Sequence, residues 1–194
     1  MSFAAVLLAA SDAMIDGVPL PLLPFGEDAT LVEHQARALI AAGATAVEVV
    51  VGAHANAIIP LVATGDIEPV PAPAGSDAAA LRAGLSALVR GAAAALVTRI
   101  AEPRSAAMFA ALAEAHAAAG APITRPVIAG RPGMPVVLGA EAIAWARNVS
   151  DEGGGLEGII ARFPVRALAV EGDAWTLRVT SRAACDRARA VLGD

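Results

Sequence analysis

Leu8-Ala9-Ala10-Ser11-Asp12-Ala13-Met14-Ile15-Asp16-Gly17-Val18-Pro19-Leu20-Pro21-Leu22-Leu23-Pro24-Phe25-Gly26 continues an unbroken apolar run that starts at Phe3. Phe3 to Ala9 has the pattern of a strand buried on both faces, as strands of a parallel sheet are. The stretch from Ala10 to Asp28 is small, polar and proline-rich. Thr30 then opens a helix with Glu33 at capping-box spacing, and Gly43 stops it. A buried strand, a long ordered loop and a helix in that order begin an α/β fold.

Outward from this start, the same alternation continues. Ala46 to Val51 reads as a second buried strand, Ala53 to Ala63 as a helix despite Pro60, and Glu68 to Pro71 as a short third strand. After the loop Pro71 to Asp77, a helix is expected over Ala78 to Arg90, a fourth strand over Ala93 to Thr98, and a helix over Ser105 to Ala119. Arg125 to Gly139 breaks the rhythm with two short β-like pieces around Gly130, Pro132 and Gly133. Helices are expected over Glu141 to Arg147 and Leu156 to Arg162, separated by a Gly153 to Gly155 loop. Val165 to Val170 and Trp175 to Val179 read as a hairpin around Gly172 and Asp173, before a last helix over Ser181 to Leu192. The sum is a three-layer α/β/α sandwich with a mostly parallel, mixed sheet, taken as one domain over residues 1–194.

Composition narrows the chemistry. All fourteen basic residues are Arg and none is Lys, which removes a Walker-type loop, a Schiff base and a phosphate-binding lysine together. A net charge of −5 and only 3% aromatic residues argue against a nucleic-acid partner. The 57% apolar content is broken by Pro, Gly or charge before any run is long enough to span a membrane. The apolar start, without basic residues and followed by Asp12 and Asp16, is unlike a signal peptide. With the single Cys185, these features lead to an expectation of a cytoplasmic protein.

Leu8-Ala9-Ala10, then Gly17, Pro19, Leu22-Leu23-Pro24 and Gly26, then Leu31-Val32-Glu33-His34, resembles the opening of MobA-like NTP transferases. That opening runs L-A-A-G, a turn, M-G-x-P-K-L-L-x-P-x-G and a helix. The likeness continues through Val49-Val50-Val51-Gly52, Leu81-Arg82-Ala83-Gly84-Leu85, Gly133-Met134-Pro135-Val136 and Asp151-Glu152-Gly153. The resemblance implies a nucleotide-diphospho-sugar transferase (GT-A-like) fold, CTP or GTP as nucleotide, and attack on the α-phosphorus with Mg²⁺ held by two Asp residues. It implies nucleotide contacts from Ala9, Ala10, Ser11 and Gly17, with Arg82 as a further binding residue.

The departures fall where that chemistry needs charge. The loop's fourth residue, Gly in the family, is Ser11; its Arg aligns with Ile15 and its Lys with Leu20. The family's G-D-x-P becomes Ile100-Ala101-Glu102-Pro103, and D-I-D-T-P becomes Arg178-Val179-Thr180-Ser181-Arg182. Both aligned Mg²⁺ carboxylates are gone, and Glu102, one position out of register, is the remaining candidate metal ligand. Small polar residues before Leu81 are replaced by Ala78, Ala79 and Ala80.

Three readings follow. One is a family member without metal-dependent transfer that binds a nucleotide or another anion, or acts as an accessory protein. Arg99, Arg104, Arg178 and Arg182, all at or just beyond strand ends, would supply such an anion site, or are simply solvated. A second is an active transferase in which Glu102 and one of Asp12, Asp16 or Asp151 hold Mg²⁺. The third is a structural homo-oligomer associating through an Ala-rich surface. Gly17, Pro19, Pro24 and Gly26 serve either nucleotide contact or the shape of a long turn. His54 has no nucleophile motif beside it, and Trp145 and Trp175 read as core or interface residues.

Overall fold

The structure, a computed structural model, describes residues 2–73, 76–148 and 155–192. β1 (Phe3–Leu8) leads through β2 (Met14–Ile15), β3 (Val18–Pro19) and a 3₁₀ turn at Leu20–Leu22 into α1 (Leu31–Ala41). β4 (Ala44–Val51), α2 (Ala55–Val62) and β5 (Ile67–Pro71) follow. Next come α3 (Asp77–Ala87), β6 (Ala94–Arg99), α4 (Ala106–Ala119), β7 (Ile123–Ile128), β8 (Arg131–Pro132) and β9 (Val136–Gly139). α5 (Ala140–Asn148), α6 (Gly155–Arg162), β10 (Val165–Val170), a 3₁₀ turn at Asp173–Thr176 and α7 (Arg182–Leu192) complete it.

The main sheet has the order β10-β7-β9-β6-β1-β4-β5, with β8 paired to β7 off this path. β1 is parallel to β4 and β6, β4 to β5 and β7 to β10; β9 is antiparallel to β6 and β7. Pro69 and Pro71 are tolerated because β5 is an edge strand whose outer side has no ladder to complete. From β1 the chain winds outward to β5, then crosses back along α3 to β6 on the other side of β1. That reversal opens a crevice between β1 and β6 at their carboxyl ends.

Alternation of side chains along β1 feeds two cores. Ala5 and Leu7 join a core with Leu31, Leu39, Ile58, Phe109 and Leu112 from α1, α2 and α4 and Cys185 from α7. Ala4 and Val6 face Leu81, Leu85, Ile143 and Ile159 from α3, α5 and α6. The result is the expected three-layer sandwich. α1 starts as its sequence predicts, with the Glu33 carboxylate accepting from the Thr30 amide at 2.9 Å and from its hydroxyl at 2.8 Å.

Two expectations are corrected. Leu8 to Gly26 is not one long loop: β2 and β3 pair antiparallel across Asp16 (φ 50°) and Gly17 (φ 78°). Positive φ at both central residues is what a type I′ turn requires, and Asp-Gly supplies it. Likewise, Val165–Val170 forms no hairpin with Trp175–Val179. It pairs in parallel with β7. The carbonyls of Trp175 and Leu177 accept from Arg104, and the Val179 amide donates to Ala101 at 2.7 Å. The segment's backbone bonds therefore go to the β6–α4 connection, leaving no ladder for β10. The expected loop at Gly153, with Asp151 and Glu152 before it, lies outside the described residues; Gly155 already opens α6.

Candidate anion-binding site

The crevice begins where the last sheet bonds of β1 part. The Leu8 carbonyl accepts from the Ile100 amide at 3.0 Å, while the Ala9 amide turns the other way and donates to Val50 at 2.9 Å. Beyond this fork the two strands diverge. A cleft of about 390 Å³ lies there, lined by Leu8, Ala10, Ser11 and Asp12 at and beyond the end of β1 and by Arg99, Ile100 and Ala101 at and beyond the end of β6. Pro73, Ser76, Asp77 and Ala80 close it from the start of α3, and Arg178 from the C-terminal segment.

Local rules place each wall. Ser76 caps α3, its hydroxyl accepting from the Ala79 amide at 3.2 Å, so the positive end of the helix dipole faces the cleft. The Asp77 carboxylate in the first turn works against that dipole where an incoming anion is concerned. Ser11 accepts from the Ala13 amide at 3.2 Å, a short turn that folds the loop away from β1. Arg178 is held over the cleft by its neighbours, since Leu177 is bonded to Arg104 and Val179 to Ala101.

Of the residues singled out in the sequence, Ala10, Ser11 and Arg178 line this cleft together. Ala9 is buried in the core, and Gly17 stands at the exposed hairpin tip. Arg82 lies half-buried on α3, outside the lining. Glu102 is also outside it, its carboxylate 3.8 Å from the Arg104 guanidinium. Among the four arginines expected near strand ends, Arg99 and Arg178 line the cleft. Arg104 does not. It is 2% exposed, and donates to the carbonyls of Pro103, Leu177 and Trp175 at 2.7, 2.9 and 2.8 Å. Burial lowers its pKa to about 10, with Glu102 opposing the shift. Arg182 pairs with Asp16 at 3.4 Å. His54 sits at the start of α2, Trp175 is buried, and Trp145 packs edge-on to Phe163 at 6.0 Å; none lines the cleft.

Leu20, where the resembling family carries its loop lysine, is 3% exposed and packs into the first core. The side chain at that position is buried in the core and lies outside the cleft lining. Ser76 and Asp77 were missed as wall residues. Their signal was present, because Ser-Asp ahead of an apolar-periodic run is an N-cap signature.

In sequence, the model of the MobA-like NTP transferase domain matches residues 5–167. No curated protein matches the chain significantly. In structure the chain is similar to Rv0371c from Mycobacterium tuberculosis, with a TM-score of 0.82 and 22% identity over 98% of this chain and 99% of that one. It is similar to a manganese complex of the same Rv0371c at 0.76 and 21% identity, over 97% of each chain. A nucleotidyl transferase from Methanothermobacter thermautotroptrophicus follows at 0.74 and 19% identity, over 97% of this chain and 96% of that one. At such identities the structural likeness establishes the shared fold. Among the described residues no helix is long and apolar enough to cross a membrane.

Proposed function

The chain belongs to the MobA-like NTP transferase domain family, and from that premise we propose that it keeps the family's cleft as an anion-binding site while lacking metal-dependent nucleotidyl transfer. One observation carries this reading. At the carboxyl ends of β1 and β6 the cleft presents Arg99 and Arg178, and Ala101 stands at the position where the family aligns a metal carboxylate. Two guanidiniums bind a phosphate oxygen set directly, as forked donors, with no ion between.

The residues present do not fit the family's metal. Glu102 is turned to Arg104, and Asp16 to Arg182. Asp12 and Asp77 are the carboxylates that line the cleft among the described residues, and no group of three or more His, Cys, Asp or Glu able to hold a metal ion occurs there. No step is therefore routed through a metal. A ligand is bound by guanidiniums, the α3 dipole and apolar walls from Leu8, Ile100 and Ala80.

Asp12 and Asp77 facing one cleft favour a second reading, an active transferase whose metal site has moved; the manganese bound to Rv0371c is consistent with it. Thermal-shift titration with CTP and GTP, with and without Mg²⁺, separates the two. Stabilisation independent of Mg²⁺, with no pyrophosphate released, is the outcome for an anion-binding protein. Stabilisation only with Mg²⁺, accompanied by pyrophosphate release, refutes the first reading in favour of the second.

A further inference from the structure

Resting on the anion-site reading, we infer that the cleft selects an organic phosphomonoester over a nucleoside triphosphate. The lining arginines differ from six others in the chain. Arg37, Arg104, Arg125, Arg182 and Arg189 make ion pairs, and Arg147 donates to the carbonyls of Leu85 and Leu88. The Arg99 and Arg178 side chains make neither a hydrogen bond nor an ion pair within the described residues. Arg99 goes further: its Nε is shielded from solvent and still has no acceptor. A buried donor without a partner is costly, and a ligand oxygen in the cleft is the acceptor the site lacks.

The charge of the wall sets how much phosphate it takes. Against Arg99 and Arg178 stand Asp12 and Asp77, so the formal charges of the described lining cancel. Of these four side chains Arg99 is half-buried, where a charge is least screened by water, while Arg178, Asp12 and Asp77 are on exposed residues. A phosphomonoester carries about −1.5 to −2 at neutral pH, the charge that two guanidiniums offset. Each further phosphoryl group adds about one more negative charge, which meets a carboxylate and no lysine or metal to offset it. Size agrees, since 390 Å³ is at the small end of the roughly 300–1,000 Å³ of ligand pockets. Among the described residues no aromatic side chain lines the cleft, so the organic body is held by Leu8, Ile100, Ala80 and Pro73 rather than by stacking on a base.

Calorimetry on the full chain with CMP, ribose phosphate, inorganic phosphate and CTP, each with and without Mg²⁺, tests this. CMP and ribose phosphate bind without Mg²⁺ about tenfold or more tightly than either CTP or inorganic phosphate. Arg99→Gln and the exposed Arg178→Gln each weaken CMP by about tenfold while the melting temperature holds. Asp12→Asn narrows the gap between CMP and CTP by about threefold or more, a change that a structural role would not produce. CTP binding as tightly as CMP, inorganic phosphate matching CMP, or an unchanged gap in Asp12→Asn overturns the inference and leaves the anion site standing. Binding of none of the four probes overturns the anion-site reading itself.

Discussion

Arg104 donates from Nη1 to the carbonyl of Leu177 at 2.9 Å, and the residue after Leu177 is the cleft-lining Arg178. A buried guanidinium thus positions an exposed one. With Nη1 also on Pro103 and Nη2 on Trp175, Arg104 ties the connection after β6 to the segment after β10. Gln35 reinforces it, its Nε2 donating to the Arg104 carbonyl at 3.0 Å and its Oε1 accepting from the Arg104 amide at 3.2 Å.

Arg104→Met should therefore lower stability by about 3–5 kcal/mol, because Glu102 and buried carbonyls lose their partner at once. Arg104→Lys should lose roughly 1–3 kcal/mol, since one ammonium cannot reproduce the fork. Urea unfolding measures both. The lysine variant, still folded, should also bind a phosphomonoester more weakly. Unchanged binding would show that Arg178 is positioned without Arg104.

Leu20→Lys restores the family's loop charge but places it in the first core. The expected result is a loss of at least about 3 kcal/mol, from an ammonium buried without a partner. The double variant Leu20→Lys with Ala101→Asp should release no pyrophosphate from CTP with Mg²⁺. Release above background would mean that the rest of the transfer machinery survives, and that only these two side chains were lost.

How much of this was legible depends on where each element finds its partners. β1, β4 and β6 were readable because strands buried on both faces are apolar throughout, whatever packs on them. The start of α1 was readable because Thr30 and Glu33 satisfy each other locally. The segment after Gly172 was not, since its turn residues look like a hairpin while its carbonyls bond to Arg104 some seventy residues earlier. The Asp16-Gly17 turn carried a local signal, but strands of two residues are too short to show alternation. Arg99 ends β6 and Arg104 lies shortly after it, so the two looked equivalent; only the packing of the C-terminal segment over Arg104 separates a cleft-lining guanidinium from a buried structural one.

Gly84 lets α3 lie close against the sheet. A Cβ there would fall 2.5 Å from Val6 Cγ1 and 2.8 Å from Val50 Cγ2, both on branched side chains in a filled core. Gly84→Ala should cost about 1–3 kcal/mol, outweighing the better helix propensity of alanine. Because Asp77 and Ala80 ride on the same helix, a displaced α3 should also alter ligand affinity. Denaturant melts and one titration decide it; a variant as stable as the wild type would show that the helix shifts without strain.

Glu48 offers a pH test independent of the cleft. It is 3% exposed on β4, in register with Glu68 on β5, and its Oε2 has no hydrogen-bond partner. Burial first, and the neighbouring Glu68 second, raise its pKa above the ordinary 4.5. The folded state therefore binds a proton more readily than the unfolded chain. Stability from this group is fully present below the unfolded pKa and is lost as pH rises through the folded one. Glu48→Gln removes the titration, so the variant should melt higher than the wild type at neutral pH, and its advantage should shrink as pH falls toward 4.5. Each kcal/mol corresponds to about 2–4 °C for a chain of this size. A difference in melting temperature that stays constant across that range would mean that Glu48 does not titrate there and that the variant acts through packing alone.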